Sequence, residues 1–279
     1  MSWAVVARKD FNDARRSRSL WGLSIAFLLL AVLFAALYTY IPEISGGGEL
    51  SSLGLMGFLS APVGIFVAVA SLVIAYKSVA GETESGSGKL LLSLPNTRRD
   101  VLFGKILGRT LVLAIPVVVG LAAMLAVVLA TNVALEPVEY ALFTAVTLLF
   151  VLVYVTLFVG ISASTTSTAR AATVAVLALV VVEFAWDIVP LAAWFVLNGF
   201  QVPAAFLTGD IAAMPDVIAF LANLPPSQAY LSAVGGILSG SLSGTGPWYL
   251  SQAFSLVVLV VWALVPAGIG YRRYRRADL

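Results

Sequence analysis

Glu183 is the one carboxylate set well inside an apolar run of this sequence, and Asp187 follows one helical turn later on the same face. An acid held in hydrocarbon costs roughly 2.5–3.5 kcal/mol or more, which makes such a pair a functional-site hypothesis. It could bind a cation, line a translocation path or edge an outward-facing gate. The plainer alternative puts both acids near the outer membrane boundary, with Trp186 as interfacial anchor and water within reach. Little else here could do chemistry. The chain has no Cys and no His, which excludes disulfides, Cys/His zinc sites, haem ligation and Cys or His nucleophiles. Residues 86–89 read GSGK, the tail of a phosphate loop. That motif needs a glycine where Thr83 stands and a Ser or Thr where Leu90 stands, so the tight turn and the Mg²⁺ ligand are both missing. No G-x-S-x-G occurs. An enzyme reading has little to work with, and no metal or cofactor bound directly by this chain is expected.

The elements that must position the two acids are membrane spans. The composition is 61% hydrophobic and 11% charged, against roughly 45–50% and 25% for an average soluble domain. No soluble fold of 279 residues hides that much apolar surface. A helical span needs about 20 mostly apolar residues. Runs of that length occur at about 20–41, 57–76, 106–130, 141–163, 171–190 and 249–271. Pro62, Pro116 and Pro266 lie inside three of them and read as kinks, since neighbouring helices can satisfy the freed carbonyls. Residues 191–248 are apolar too, but Pro203, Pro215, Pro225 and Pro226 cut them and Asp210 and Asp216 interrupt them. Short outer helices lying at or dipping into the interface are expected there.

The charges order these spans. Every Lys and Arg falls before the first span, between the second and third or in the first turn of the third (Arg109), between the fourth and fifth, or after the sixth. The remaining loops carry only acids, among them Glu43, Glu49, Glu136 and Glu139. The positive-inside rule puts both termini and the basic loops in the cytoplasm. The fold class is therefore all-α and integral to the membrane, with six transmembrane helices in one domain over 1–279. The first apolar run exceeds the 7–15 residues of a signal core, and it reads as a retained span. Ahead of it, residues 1–19 form an amphipathic interfacial elbow. Trp3, Val6, Ala7, Phe11 and Ala14 share one face and Arg8, Lys9, Asn12, Arg15 and Arg16 the other, with Asp10 intruding on the apolar stripe and Val5 on the polar side. Such a helix suits a surface of anionic headgroups. Arg outnumbers Lys twelve to four, a bias of GC-rich prokaryotic genomes that points to a prokaryotic plasma membrane.

The longest basic loop, 77–105, interleaves leucines with acids and bases. Leu94-Pro95-Asn96 is a turn signal, because the residue before proline is pushed out of the helical region. Two short amphipathic helices joined at that turn would suit docking on a soluble partner. The run G-E-x-E-x-G…L-L-L-S-L-P-x-x-R-x-x-x-x-x-G-K is carried by Gly81, Glu82, Glu84, Gly86, Leu90, Leu91, Leu92, Ser93, Leu94, Pro95, Arg98, Gly104 and Lys105. It resembles the permeases of ABC-2 type exporters. The opening ARKDFNDARRSRSLW is similar to that family's basic elbow, and Asn223-Leu224-Pro225-Pro226…Ala229-Tyr230 resembles its proline segment before the last span. Ser87-Gly88 departs from the Thr-Leu common in the family. Within the family the chain looks most like the permeases of nitrous-oxide-reductase maturation systems and their archaeal relatives, often labelled copper transporters.

What the resemblance implies is a division of labour. Two permease chains, as a homodimer, would pair with two copies of an ABC ATPase subunit that uses ATP and Mg²⁺. The coupling residues would be Gly81, Glu82, Glu84, Gly86, Leu92, Leu94, Pro95 and Arg98. The segment 191–248, with Pro225 and Tyr230, would form part of an outer exit gate. The copper label meets a physical objection, because soft copper is handled by Cys, Met and His. This chain has neither Cys nor His, and Met1, Met56, Met124 and Met214 form no pair at helical spacing. A sulfur compound, lipid, peptide or drug-like cargo would fit as well. Partners are thus an ATPase, a second copy and the bilayer, with no nucleic acid. A secondary transporter or channel independent of ATP is the alternative, though matched broken helices in two halves are not evident.

Overall fold

The apolar runs fold as helices because a backbone in hydrocarbon must satisfy its polar groups within the segment. The computed structural model describes residues 3–15, 17–41, 50–87, 97–131, 134–201, 214–240 and 247–276. Six of its helices are long and apolar enough to cross a membrane. They are α2 (Arg18–Tyr40), α3 (Ser52–Ala75), α5 (Arg98–Ala130), α6 (Pro137–Ala163), α7 (Thr168–Val180, continued by a π-helical turn at Val181–Ala185) and α11 (Gln252–Arg276). Between and before them lie α1 (Trp3–Arg15), α4 (Ala80–Glu84), α8 (Ile188–Leu197), α9 (Asp216–Ala222) and α10 (Pro226–Leu238). Among the described residues the only strand-like pairing is one isolated bridge between Ser51 and Ala134. Pro62, Pro116 and Pro266 all sit inside unbroken helices, as expected.

Local chemistry sets the helix starts. Ser51 caps α3 by accepting from Gly54 N at 3.0 Å. Thr97 and Asp100 form a reciprocal capping box at the head of α5. Proline opens both α6 and α10, where its missing N–H costs nothing. Arg273, Arg275 and Arg276 close α11, where cations favour the helix dipole.

Several boundaries differ from the expected runs, and two of them bear on the site. The third span begins at Arg98 rather than near 106, and its 33 residues run about 50 Å, well past the hydrocarbon. The second of the two expected loop helices is therefore not a separate element; residues 98–105 are the overhanging base of α5. The fifth span is shorter than expected. It ends with the π turn at Ala185, and Pro190 belongs to α8. Neither end is visible in hydropathy, which measures transfer to lipid and not where a helix stops.

The core is centred on α6, whose Phe143, Phe150, Tyr154 and Phe158 are fully buried. It packs on α3, α5, α10 and α11, while α2 lies on α5. The α10 helix does not lie flat. It dips into the bundle against α3, α6 and α11, with Ala229, Tyr230, Ala233 and Val234 buried. By contrast α7 is largely exposed, showing Val174, Leu177, Val180 and Phe184 outward. Because the spans alternate, the start of α2, the end of α3 and the start of α5 gather at one end of the bundle, with the end of α6, the start of α7 and the end of α11. The described Lys and Arg side chains cluster at this basic end.

Candidate functional site

The basic end is organised around α4, a helix of five residues. Alone it could not persist, because helix nucleation is unfavourable and one turn gains little. It is held from four sides. Ser162, near the end of α6, turns its hydroxyl oxygen to the head of α4 and accepts from Val79 N at 3.0 Å and Ala80 N at 3.1 Å. That satisfies two amide donors a helix start otherwise leaves orphaned. Glu84 in turn caps the next span, accepting from Thr168 N at 2.9 Å and from the Thr168 hydroxyl. Ser167, the residue at the capping position of α7, supplies no such bond itself. A carboxylate there also meets the positive end of the α7 dipole.

The other two ties are ionic. Glu82 Oε1 lies 2.8 Å from Lys105 Nζ, whose side chain is only 2% exposed. Lys105 Nζ is 3.8 Å from Asp10 Oδ1. Arg109 donates from Nη2 to Asp10 Oδ1 at 2.9 Å and from Nη1 to Ile74 O at 3.1 Å. Its Nε stands 2.8 Å from Asp10 Oδ2, a charge contact without hydrogen-bond alignment. Two acids and two bases thus alternate, Glu82–Lys105–Asp10–Arg109, and the buried cluster carries no net charge. The chain of contacts joins α4, α5, α1 and the end of α3.

Close approach of α1 to α5 makes this possible. A Cβ on Gly104 would lie 2.7 Å from Val6 Cβ and 2.9 Å from Trp3 O, and one on Gly108 3.0 Å from Ala7 O. Gly104 and Gly108 are a G-x-x-x-G pair, the small-residue spacing that lets membrane helices touch backbone to side chain. The elbow helix therefore turns Val6, Ala7 and Asp10 onto α5, and Asp10 is an anchor where the sequence pattern made it an intruder. Trp3, assigned to the apolar face, is half exposed. The signals that could have found this contact were G-K-I-L-G itself and an acid on an apolar stripe opposite two bases spaced i, i+4.

The remaining coupling residues fall close by. Arg98 donates to Tyr274 O and to Arg275 O, the latter at 3.1 Å, so the base of α5 holds the end of α11. Its guanidinium also lies over the Tyr274 ring, 5.7 Å from the centroid. Gly86 has φ +75°, a left-handed conformation that selects glycine. Gly81 needs no such defence, since a Cβ there would make only ordinary contact with Thr168. Leu92, Leu94 and Pro95 lie outside the described residues.

The other four candidates lie away from the basic end, Tyr230 in the middle of the bundle. Glu183 lies in the π turn, a deformation frequent at functional sites. Its carboxylate meets the Ser227 hydroxyl of α10, while Oε1 is buried without a hydrogen-bond partner. Asp187 is exposed at the junction with α8 and caps nothing with its side chain. Pro225 is buried at the α9–α10 corner. Two indoles staple that corner, Trp186 Nε1 donating to Leu221 O at 2.9 Å and Trp262 Nε1 to Leu224 O at 2.8 Å. Tyr230 stacks on Phe150 with centroids 4.5 Å apart, its hydroxyl 3.1 Å from Thr147 Oγ1. Nearby, Tyr249 donates to Asp216, and that hydrogen bond raises the phenol above its ordinary pKa, with burial and the carboxylate charge adding to it. Among the described residues no cluster of three or more His, Cys, Asp or Glu could hold a metal ion.

With this geometry in place, comparison with known proteins is specific. The family model described as "ABC-2 family transporter protein" matches residues 4–279. The chain is similar to the "Probable ABC transporter permease protein NosY" of Stutzerimonas stutzeri, 35% identical over 124 residues, and to that of Pseudomonas aeruginosa, 31% identical over 135 residues. These alignments span 41% and 45% of each chain respectively, less than half the length of either relative.

Proposed function

The chain belongs to the ABC-2 family of transporter proteins, and from that premise we propose that it is the membrane-spanning permease subunit of an ATP-driven exporter. In this reading the basic end faces the cytoplasm of a prokaryotic cell, an orientation that the distribution of Lys and Arg supports. A separate ATPase subunit, present in two copies on a permease homodimer, hydrolyses Mg·ATP there. This chain binds no nucleotide and performs no covalent step. Its work is to convert motion of the partner into movement of the spans.

The observation that carries the proposal is the four-way tethering of α4. A five-residue helix is wired to the end of the fourth span by Ser162, to the third by Lys105, to the fifth by Glu84 and, through Lys105 and Asp10, to the elbow. A push on α4 or α1 therefore reaches four elements at once. The acids Glu82 and Glu84 are engaged by the protein's own spans. Their role is transmission of movement, and direct contact with the ATPase falls to the outer side of the loop. A transporter of this kind is a two-state membrane unit whose equilibrium the partner's ATP cycle biases. About midway across the bundle, the α9–α10 corner held by Trp186 and Trp262 is the part that would open to release cargo.

Co-expression with the ATPase tests the proposal. The expected result is a complex of two permeases and two ATPases whose ATP hydrolysis rate differs from that of the ATPase alone. In the Glu82→Gln/Glu84→Gln pair the complex still assembles but that difference shrinks several-fold. Retention of the full permease-dependent rate by the double variant would overturn the transmission role.

A further inference from the structure

A cleft of about 700 Å³ runs along one flank of α11, between it and α6, with α7 and the α9 corner closing its far end. It exists because α6 and α11 cross on glycine and proline. A Cβ on Gly160 would lie 2.5 Å from Pro266 O, and one on Gly270 2.7 Å from Gly160 Cα. The two backbones touch, and no side chain fills the space beside the crossing. The wall on α11 extends from Phe254 to Arg273, about 28 Å. Val257, Val261, Val265 and Ile269 along it are each about half exposed.

Volume decides what can occupy it. Ligand sites of about 300–1,000 Å³ take a single small molecule or chain. Polarity decides the orientation. At the basic end the lining is Ser164, Thr165 and Arg273, and beyond them it is almost entirely apolar up to Trp262 and Trp186. Arg273 is exposed and forms no ion pair among the described residues. Trp262, fixed by its bond to Leu224 O, stands eleven residues away along the helix, about 17 Å. Half of the hydrocarbon core is about 15 Å.

We infer that this cleft is a binding site for one acyl chain of an anionic phospholipid from the leaflet at the basic end, with Arg273 holding the phosphate. The chain lies along the α11 wall with its methyl end beneath Trp262. Ser164 and Thr165 mark the headgroup level, where a basic side chain attracts anionic lipid. The site rests on the span assignment and not on the transport reading, so loss of coupling to an ATPase would leave it standing.

Native mass spectrometry of the detergent-purified chain, titrated separately with palmitoyl-oleoyl phosphatidylglycerol and the matching phosphatidylcholine, reads the site directly. Wild type is expected to retain phosphatidylglycerol at least fivefold better. Arg273→Gln should erase the preference, and Val261→Trp, which fills the cleft, should cut retention of both lipids about tenfold. A brominated-acyl phosphatidylglycerol provides a second readout, because bromine beside Trp262 quenches its fluorescence. Quenching should fall in Val261→Phe, a milder blocker for use if the Trp variant misfolds. Equal retention of the two lipids by wild type, or undiminished retention in both blocked variants, overturns the inference. So does Val261→Cys forming a disulfide between two copies in high yield, which would place a second protein chain in the cleft; the native sequence has no cysteine to confuse that assay.

Discussion

The two ends of this bundle are built on opposite principles. At the basic end Glu82, Lys105, Asp10 and Arg109 neutralise one another within a few ångströms, and Ser162 and Glu84 satisfy helix starts. Away from it the ties include two indole-to-carbonyl bonds, the Tyr249 phenol on Asp216, and the Ser227 hydroxyl beside Glu183, whose Oε1 has no hydrogen-bond partner. A buried ion network is unforgiving, since removing one member strands another in low dielectric. Single neutral hydrogen bonds are worth about 0.5–1.5 kcal/mol each and can open and close. The contrast suits a molecule that must move as a unit where force enters and rearrange where cargo leaves.

The sharpest way to break the contrast is to remove the central anion. Asp10→Leu leaves Lys105 and Arg109, four residues apart on one helix, with only Glu82 between them. A loss of about 3–5 kcal/mol is expected, the usual result of an uncompensated buried charge. A fall in the melting temperature of the purified protein measures it. Pairing Asp10→Leu with Arg109→Leu should restore much of the loss, because the second change removes the stranded cation and leaves Lys105 paired with Glu82. If the double variant is less stable than either single one, the charges do not form one network.

Next in size is steric separation of the same helices. Gly104→Val forces a side chain into Val6 Cβ and Trp3 O, and overpacking of this kind costs about 1–3 kcal/mol. Its distinguishing readout is proteolysis of the elbow, which should become accessible while the six spans stay protected. Ser162→Ala should cost about 1–3 kcal/mol, since two amide donors at the head of α4 lose their acceptor. Hydrogen exchange at Val79 and Ala80 should rise selectively. Uniform exchange across the loop would mean that Ser162 does not hold it.

These expectations show which features were legible. Six spans and their basic and acidic ends follow from hydropathy and charge, because lipid contact imposes both. Asp10 was not legible as an anchor. A helical wheel sees it as a flaw in an amphipathic stripe, since the wheel assumes that the apolar face meets lipid, whereas it meets α5. Insertion of α10 was hidden for a related reason. A proline-cut segment fails a span-length test, yet Tyr230 and Ala233 are buried by protein, which imposes no such length. The π turn at Glu183 lacks any periodic signal, because one extra residue in a turn barely alters the pattern of an all-apolar run.

At the loosely tied end, Trp262→Phe should cost about 1 kcal/mol by leaving Leu224 O without its donor. It should raise backbone exchange at the α9–α10 corner and leave α4 unchanged. An equal rise at both ends would mean the corner is no independent gate.

The smallest stability effect is expected from Glu183→Gln, and it is the most informative about function. Gln keeps the shape and an acceptor for Ser227, while adding an amide that can serve the same hydroxyl. It also removes whatever charge the π turn presents. A change within about 0.5 kcal/mol is therefore expected, typical of a substitution that strands nothing. Two readings of this acid then separate cleanly. If it only reaches water beside Trp186, permease-dependent ATP hydrolysis and cargo export are unchanged in the variant. If its charge holds the α9–α10 corner closed or meets cargo, export falls severalfold while assembly with the ATPase and the melting temperature do not move. Parallel measurement of Asp187→Asn calibrates the result. That acid is exposed and tied to nothing among the described residues, so an equal effect at both positions would assign the loss to the local field at the outer boundary rather than to the buried carboxylate.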